Sequence, residues 1–247
     1  MKFETFSYRY ALEILQHSNF GHAWEEISGV LTKAPTFVYA GKSKKNKSLD
    51  VVQQLLNAYF DRSLSIDNKW EYHPLATSIK ESALRADFRK TFTEKDSITV
   101  QAEIQFGNMA RWYSDIFKFQ AAYSSNLVQL ALSIVPMRSL AKRIDSNVVN
   151  FERAFKELPS AILSVTLPIL LIGIAPDEKQ VDVSRSSFAG YSEIVGKKKS
   201  ENRWRIVHGY LSGTDIAEIG PKSATGPMFE TADDDEDVDE VEPEVGV

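Results

Sequence analysis

The chain has 247 residues and no cysteine, and other features typical of particular protein classes are missing with it. Without cysteine, disulfides, thiolate nucleophiles and cysteine-ligated zinc sites are excluded, which fits a reducing compartment. The longest apolar run, 161–175, is interrupted by Ser164, Thr166, Pro168 and Gly173. It falls short of the ~20 residues that span a bilayer, so we interpret it as a buried strand and expect no membrane partner.

The sequence also lacks the patterns of a secretion signal and of a histidine zinc helix. Residues 1–4 carry no basic segment followed by an apolar core, so secretion is not expected. The four histidines are His17, His22, His73 and His208. None pairs with another at the i, i+4 spacing, with a glutamate between them, that a zinc helix requires. We interpret all of them as ordinary side chains.

The formal net charge of −5 combines two regions of opposite character. Residues 230–247 contain ten Asp or Glu and no Lys or Arg, and we expect this acidic tail to be disordered because it is poor in apolar residues. Without the tail, the chain has 29 basic and 24 acidic residues, a net charge of +5. It is long enough to bury one large core and no Pro/Gly-rich stretch divides it, so we predict one domain over 1–229.

Two lysine-rich segments carry much of this positive charge. One spans 197–205, and the other contains Lys42, Lys44, Lys45 and Lys47. Both also contain Ser, Asn or Gly, as loops do. They are compatible with contacts to nucleic acid phosphates, which would make affinity depend on salt, and equally with ordinary solvated loops.

Residues 97–106 alternate polar and apolar side chains without a break, which predicts a half-buried strand. Side chains two positions apart share a face, so Glu103 and Gln105 point the same way while Ile104 is anchored in the core. Asp87 lies sixteen residues upstream, far enough to close a hairpin beside Glu103. Two carboxylates and the Ile104 carbonyl can hold Mg²⁺, which usually binds one or two protein carboxylates, waters and substrate phosphate. We interpret this as a phosphodiesterase metal site, although a solvated sheet face and a turn aspartate give the same pattern.

Strands and helices alternate along the rest of the chain. The hydrophobic spacing predicts one long or two short helices in 8–33, a strand at 36–40, a helix at 49–60, a hairpin over 82–106, a helix from Asn108 to about 125, a strand at 127–135, a loop and a helix in 137–158, a strand at 165–174 and an edge strand at 204–211. This order predicts an α/β fold with a mixed central β-sheet flanked by helices.

Short motifs in a fixed order carry a resemblance to a known family. They are Trp24-Glu25-Glu26-Ile27, Ala86-Asp87-Phe88, Ala102-Glu103-Ile104-Gln105-Phe106-Gly107, Ser114-Asp115-Ile116-Phe117-Lys118, Val135-Pro136-Met137 and Ile172-Gly173-Ile174-Ala175-Pro176. Together they resemble type II restriction endonucleases of the BglII and BstYI kind, within the PD-(D/E)XK nuclease superfamily. The resemblance covers residues 8–176 and implies a restriction-endonuclease-like core.

The resemblance also implies an activity. In that family two protomers form a homodimer around double-stranded DNA, and each cuts one strand of a palindromic site with Mg²⁺. Known members cut sites with a GATC centre, and 5′ overhangs are implied. The chain would then be a restriction enzyme of a restriction-modification system in the cytoplasm of a bacterial or archaeal cell. The alternative is a catalytically decayed DNA-binding protein on the same fold, because a fold does not establish activity.

The resemblance assigns roles to the hairpin residues. Asp87 and Glu103 would be catalytic metal ligands, together with the Ile104 carbonyl. Gln105 stands where the superfamily usually has lysine, and relatives of the BglII kind also carry Gln there. It would orient the attacking water by hydrogen bonding, because an amide is not a base. The hairpin is longer than in those relatives, which leaves Asp96 as an alternative upstream ligand.

DNA contacts are expected from three segments. Asn108 follows the motif where relatives reach into the major groove, and an Asn amide can bond adenine; a helix cap is the alternative. Ser146 and Asn147 are candidate base contacts by position. Phosphate contacts are assigned to Lys42, Lys44, Lys45 and Lys47.

Overall fold

The structure is a computed structural model that describes residues 1–161 and 164–228, and the acidic tail expected to be disordered, 230–247, lies outside the described residues. Its strands are β1 (Lys2–Tyr8), β2 (Thr36–Val38), β3 (Glu71–Tyr72), β4 (Phe88–Thr93), β5 (Ser97–Ile104), β6 (Leu130–Pro136), β7 (Ile169–Ala175) and β8 (Gln180–Asp182). Its α-helices are α1 (Ala11–Leu15), α2 (Ala23–Lys33), α3 (Gln53–Phe60), α4 (Met109–Ser124), α5 (Arg138–Ile144), α6 (Phe151–Glu157), α7 (Ser192–Val195) and α8 (Ser200–Leu211). A π-helical segment, Asp61–Asp67, continues α3.

Six strands form the main sheet in the order β1-β7-β6-β5-β4-β3. The central strands β5, β6 and β7 are parallel, whereas β1, β4 and β3 run antiparallel to their neighbours. Strand β6 is buried along its whole length, as expected for a parallel strand covered on both faces. A separate parallel pair, β2 and β8, forms a small second sheet.

Helices cover both faces of the main sheet, which confirms the predicted mixed α/β architecture. On one face Trp112 and Phe119 of α4 and Phe151 of α6 pack with residues of β6 and β7. The other face packs in a larger core with residues of α2, α3, α5 and α8. Helix α8 packs against α3, so the chain after β7 returns to the side of the main sheet where α3 lies.

Most of the predicted elements are present with altered bounds. The region 8–33 contains two helices, α1 and α2, and 36–40 contains β2. The segment 137–158 contains two helices, α5 and α6, where one was predicted. The strand predicted at 165–174 starts only at Ile169.

One predicted strand is wrong, and one strand of the structure was not predicted. The segment 204–211, predicted as an edge strand, belongs to helix α8, which buries Trp204, Ile206, Val207 and Gly209. A short apolar run does not distinguish the periodicity of a strand from that of a helix. Packing of this segment against α3 favours the helix. The first strand, β1, was not predicted; it is stabilised by antiparallel pairing with β7, which lies far away in the sequence.

Candidate active site

The hairpin of β4 and β5 brings Asp87 and Glu103 together. Phe88 pairs with Ala102 in antiparallel register, and Asp87 and Glu103 are the residues that lie directly beyond this pair. The Oδ2 atom of Asp87 accepts a hydrogen bond from the backbone nitrogen of Ile104 at 2.8 Å. Both predicted carboxylates and the Ile104 backbone therefore lie at one end of the hairpin.

Asp96, the alternative upstream ligand, lies at the opposite end of the hairpin. It is in the turn that joins the two strands, and its Oδ2 accepts a hydrogen bond from Asn19 Nδ2 at 2.6 Å. At ~3.3 Å of strand rise per residue, Asp96 is roughly 23 Å from Glu103 along β5. Asp96 and Glu103 cannot share a metal ion, so the alternative in which Asp96 is the upstream ligand is wrong.

Glu103 is buried, with 1% of the residue exposed, although its face of β5 could have been solvated. Helix α4 covers this face and is anchored by the indole Nε1 of Trp112, which donates to Ser133 Oγ on β6 at 3.0 Å. Gln101 Nε2 donates to Glu103 Oε1 at 3.3 Å, and Lys118 Nζ donates to Oε2 at 2.5 Å. Contacts to both oxygens fix the orientation of this carboxylate.

Two residues of α4, Asp115 and Lys118, belong to the site although sequence reasoning gave them no role. Asp115 is buried, and Lys118 Nζ lies 2.9 Å from its Oδ1 in addition to contacting Glu103. The sequence does contain a signal: Asp115 lies between Trp112 and Phe119 in the stripe that α4 buries. A carboxylate in an apolar stripe needs a partner, and Lys118 follows one helical turn later.

Gln105 lies just beyond the end of β5, and its side chain turns toward α4. Its Nε2 donates to Asp115 Oδ2 at 2.8 Å, and its Oε1 accepts from the backbone nitrogen of Gly107 at 2.7 Å. Asp115 therefore links Gln105 to Lys118, and through Lys118 to Glu103. The predicted residues Glu103 and Gln105 are brought into one hydrogen-bonded cluster by a residue that was not predicted.

Burial and neighbouring charges shift the pKa values of three residues in this cluster. Burial raises the pKa of Glu103 well above its ordinary value, and the charge of Asp87 raises it further while Lys118 opposes the shift. Burial also raises the pKa of Asp115 to about 6, against the opposing charge of Lys118. For Lys118, burial lowers the pKa, but the carboxylates of Glu103, Asp115 and Asp87 outweigh it and raise the pKa. Lys118 is therefore a fixed positive charge.

The donor set suits a hard divalent cation. Among residues 1–161 and 164–228, no group of three or more Asp, Glu, His or Cys side chains is arranged to hold a metal ion. Mg²⁺ does not need such a group, because it keeps several waters and takes one or two carboxylates together with substrate phosphate. Asp87, Glu103 and the Ile104 carbonyl fit this requirement.

A cleft of about 370 Å³ opens at this end of the hairpin. Asp87 and Ile104 line it on one side. Residues with cationic or imidazole side chains line it elsewhere: His73, Arg111, Lys197 and Arg203. The sequence did not predict that these four residues lie at one cleft. His73 was predicted to be an ordinary side chain; the residue lines the cleft, and its backbone nitrogen donates to the carbonyl of Asp87 at 3.0 Å. Sequence periodicity could not reveal this, because the cleft joins segments that are distant in the chain.

The lysine segment at 42–47 borders a second hollow next to this cleft. Gln53 and Gln54 of α3 line both, and Lys44 and Lys45 line the second. Lys47 is exposed in the same loop. Lys44 and Lys45 therefore border the hollow next to the cleft, and phosphate contact stays a prediction for all three lysines.

Lys42 differs from the other lysines of this loop. Its Nζ donates to the carbonyls of Val51 at 2.7 Å and Ile144 at 3.0 Å, and burial lowers its pKa. Ile144 is the last residue of α5, where a cation interacts favourably with the helix dipole. Lys42 was predicted to contact phosphate; the structure gives it a local role instead, because its ammonium is bound to these two carbonyls and holds the loop against α5.

The three candidate base contacts lie in neighbouring segments. Asn108 caps α4, since its Oδ1 accepts from the backbone nitrogen of Arg111 at 3.1 Å. The backbone nitrogen of Val149 donates to the Gly107 carbonyl at 2.8 Å, which brings the 145–149 segment beside Asn108. Ser146 and Asn147 are exposed in this segment. The cap confirms one of the two roles considered for Asn108, and base contact stays a prediction for all three residues.

Comparison with known proteins identifies the family. A family model described as restriction endonuclease BglII/BglIII matches residues 3–174. The chain belongs to the BglII/BglIII restriction endonuclease family. As a member, it is a type II site-specific deoxyribonuclease. No curated protein matches the chain significantly.

A solved structure of a BglII enzyme shares the fold. A crystal structure of restriction endonuclease BglII with a DNA 16-mer is 21% identical, with a TM-score of 0.59, and the alignment covers 72% of this chain and 78% of that one. A crystal structure of free BglII is 22% identical, with a TM-score of 0.46, over 72% and 81% of the two chains. At this identity the likeness to the DNA-bound structure shows the fold alone.

The BglII/BglIII match has a clear boundary in the structure. It includes the hairpin, α4 and β7, and therefore the whole carboxylate cluster. It ends before Lys197 and Arg203, which line the cleft from the segment that follows β7.

No helix within the described ranges is long and apolar enough to cross a membrane.

Proposed function

We propose that this BglII-family nuclease is Mg²⁺-dependent, acts as a homodimer on a palindromic double-stranded DNA site with a GATC centre, and leaves 5′ overhangs. It would act within a restriction-modification system in the cytoplasm of a bacterial or archaeal cell. The observation that carries the proposal is the hydrogen bond from the backbone nitrogen of Ile104 to Asp87 Oδ2, next to Glu103 and beside an open cleft. We further propose that 1–229 is one nuclease domain.

The chemistry is hydrolysis of a phosphodiester by water. Asp87, Glu103 and the Ile104 carbonyl would hold Mg²⁺, which when bound activates water and offsets charge on the phosphate. Asp87 and Ile104 line the cleft, where a DNA phosphate can approach them. Gln105 would orient the water through its amide, which cannot serve as a general base. Its contact with Asp115 limits the orientations of that amide.

DNA would lie along the cleft and the neighbouring hollow. Arg111, Lys197 and Arg203 line the cleft, and Lys44 and Lys45 line the hollow, so both can contact phosphates. Lys47 is proposed as a third phosphate contact of the lysine loop. A BglII structure that contains a DNA 16-mer supports duplex DNA as the substrate. Base contacts are proposed for Asn108, Ser146 and Asn147, whose segments adjoin.

The outer face of α4 supports the homodimer. Tyr113 and Phe117 lie one turn apart on this helix and are 45% and 64% exposed. Tyr113 Oη donates to Glu157 on α6, and Phe155 of α6 is also exposed. Large exposed apolar side chains are typical of interaction surfaces. A second copy of this chain is the proposed occupant, because a palindromic site is matched by two-fold symmetry.

Digestion of phage DNA tests the proposed function. Purified wild-type chain is incubated with the DNA in Mg²⁺ and in EDTA, and the ends of the products are sequenced. Discrete fragments that require Mg²⁺ and end in 5′ overhangs at a GATC-centred palindrome are expected. Fragments with other ends would contradict the proposed site, and DNA that is shifted on a gel but uncut would favour the decayed DNA-binding protein.

The dimer is tested separately by sedimentation. Phe117→Glu places a charge on the outer face of α4 and is expected to give a monomer, while Ile79→Glu, at an exposed apolar residue of a loop, leaves the dimer intact. A wild-type chain that sediments as a monomer, both free and with DNA, would contradict the proposal.

A further inference from the structure

Lys118 provides a cation where the strand motif lacks one. The residue two positions after Glu103 is Gln105, an uncharged amide, so β5 brings no positive charge to its own carboxylate. Helix α4 brings one instead, because Lys118 Nζ lies 2.5 Å from Glu103 Oε2 and 2.9 Å from Asp115 Oδ1. With only 15% of the Lys118 side chain exposed, this ammonium is held between two buried carboxylates.

The contacts around Lys118 are built from both sides. Asp115 accepts from Lys118 with Oδ1 and from Gln105 Nε2 with Oδ2, at 2.8 Å. The Lys118 ammonium thus connects the Glu103 carboxylate to the helix, and Asp115 connects the helix to the Gln105 amide. An ionised carboxylate has about four acceptor sites, so Glu103 can contact Lys118 and still bind a cation.

We propose that Lys118, held by Asp115, is a positioning residue that fixes the Glu103 carboxylate for metal binding from helix α4. This inference rests on the proposed function and adds a part that the strand motif does not contain. Asp115 orients Lys118, and Lys118 orients Glu103. Partners of metal ligands that act in this way change metal affinity or activity by about 10- to 100-fold when they are removed.

The test compares two lysines in similar ion pairs. Lys118→Met removes the ammonium at the site, and Lys90→Met removes the ammonium that contacts Glu26 Oε2 at 2.6 Å, with a side chain 20% exposed. For each variant, single-turnover cleavage is measured, together with Mn²⁺ binding to the complex with cleaved duplex by electron paramagnetic resonance. Lys118→Met is expected to lower both the rate constant and the Mn²⁺ affinity by about 10- to 100-fold. Lys90→Met should lower neither, and Lys118→Arg should restore part of both.

The Mn²⁺ measurement separates positioning from simple charge balance. If Lys118 only neutralised the carboxylates, its removal would leave the Mn²⁺ affinity unchanged or raise it, and that result would overturn the inference. Equal cleavage by wild type and Lys118→Met would overturn it as well, while the proposed function would stand. A wild-type chain that does not cleave DNA with Mg²⁺ overturns the proposed function and this inference together.

Asp115→Asn gives a second test that does not depend on the folding of Lys118→Met. The amide keeps the size of the side chain but offers Lys118 a weaker acceptor. Both the cleavage rate and the Mn²⁺ affinity should fall by about 10-fold, the lower end of the range for such partners. Wild-type values in a folded Asp115→Asn variant would contradict the role of Asp115.

Discussion

Gln105 and Gly107 form a tight local contact, in which the backbone nitrogen of Gly107 donates to the amide oxygen of Gln105 at 2.7 Å. A Cβ atom added at Gly107 would lie 2.6 Å from that oxygen and 2.8 Å from the Cδ atom of Arg111. The side chains of Gln105 and Arg111 therefore occupy space that any side chain at position 107 would need.

Gly107→Ala should displace the Gln105 amide and lower the cleavage rate, because the new methyl group occupies the place of its oxygen. We expect a loss of about 10-fold, within the range for a displaced orienting group, with the fold intact. Single-turnover cleavage measures the loss. Gly29→Ala is the control, since a Cβ there meets nothing within 4 Å, and it should cleave like the wild type. Equal rates for the two variants would contradict the proposed role of Gln105.

The raised pKa values predict how metal binding depends on pH. Glu103 has a raised pKa and Asp115 one of about 6, so at about pH 5.5 the metal-free cluster carries protons that a cation must displace. Because both folded-state pKa values exceed the unfolded ones, these groups lower the free energy of unfolding as pH rises through this window, and bound metal offsets the loss. Mn²⁺ should therefore raise the melting temperature more at about pH 8 than at about pH 5.5. A shift that is equal at both pH values, or that survives in Glu103→Gln, would argue against the site.

Gly173 predicts an effect on stability. A Cβ at this position of β7 would clash with Met137 Sδ and lie 2.5 Å from Phe151 Cγ, in the core beneath α6. Gly173→Ala should lower the free energy of unfolding by about 1–3 kcal/mol, as overpacking usually does. Urea denaturation measures the change. Gly190→Ala, where a Cβ meets nothing within 4 Å, should leave it within about 0.5 kcal/mol.

Two variants of the lysine loop should distinguish a lysine that stabilises the fold from one that binds DNA. Lys42→Met removes an ammonium bound to two carbonyls and should lower the melting temperature. Lys45→Ala should leave the melting temperature unchanged, weaken DNA binding on every sequence and reduce the salt slope of affinity by about 1. The measurements are thermal unfolding and titration of labelled duplex at several salt concentrations. A Lys45→Ala variant with the wild-type salt slope would remove this lysine from the proposed contacts.

Sequence periodicity predicted the parts of the fold that are locally determined. The alternation over 97–106 gave β5, and the spacing of Asp87 and Glu103 gave their meeting across the hairpin. It could not give β1, because this strand depends on pairing with β7, nor α8, because packing against α3 selects the helical period.

The site was predicted in part for the same reason. Asp87, Glu103 and Ile104 lie on one hairpin, so spacing alone relates them. Lys118 reaches Glu103 only because α4 folds back over the sheet, and the side of the cleft with Lys197 and Arg203 comes from a segment beyond β7. The resemblance motif contained Asp115 and Lys118, but only the packing of α4 shows what they contact.

The central claim is that Asp87 and Glu103 hold the metal ion together, and a comparison of two aspartates of the same hairpin tests it most directly. Asp87→Asn and Asp96→Asn are assayed for Mg²⁺-dependent cleavage of the cognate duplex and for binding of that duplex. We predict that Asp87→Asn still binds DNA but loses cleavage, whereas Asp96→Asn, at the turn, cleaves like the wild type. Cleavage that survives in Asp87→Asn and is lost in Asp96→Asn would contradict the account.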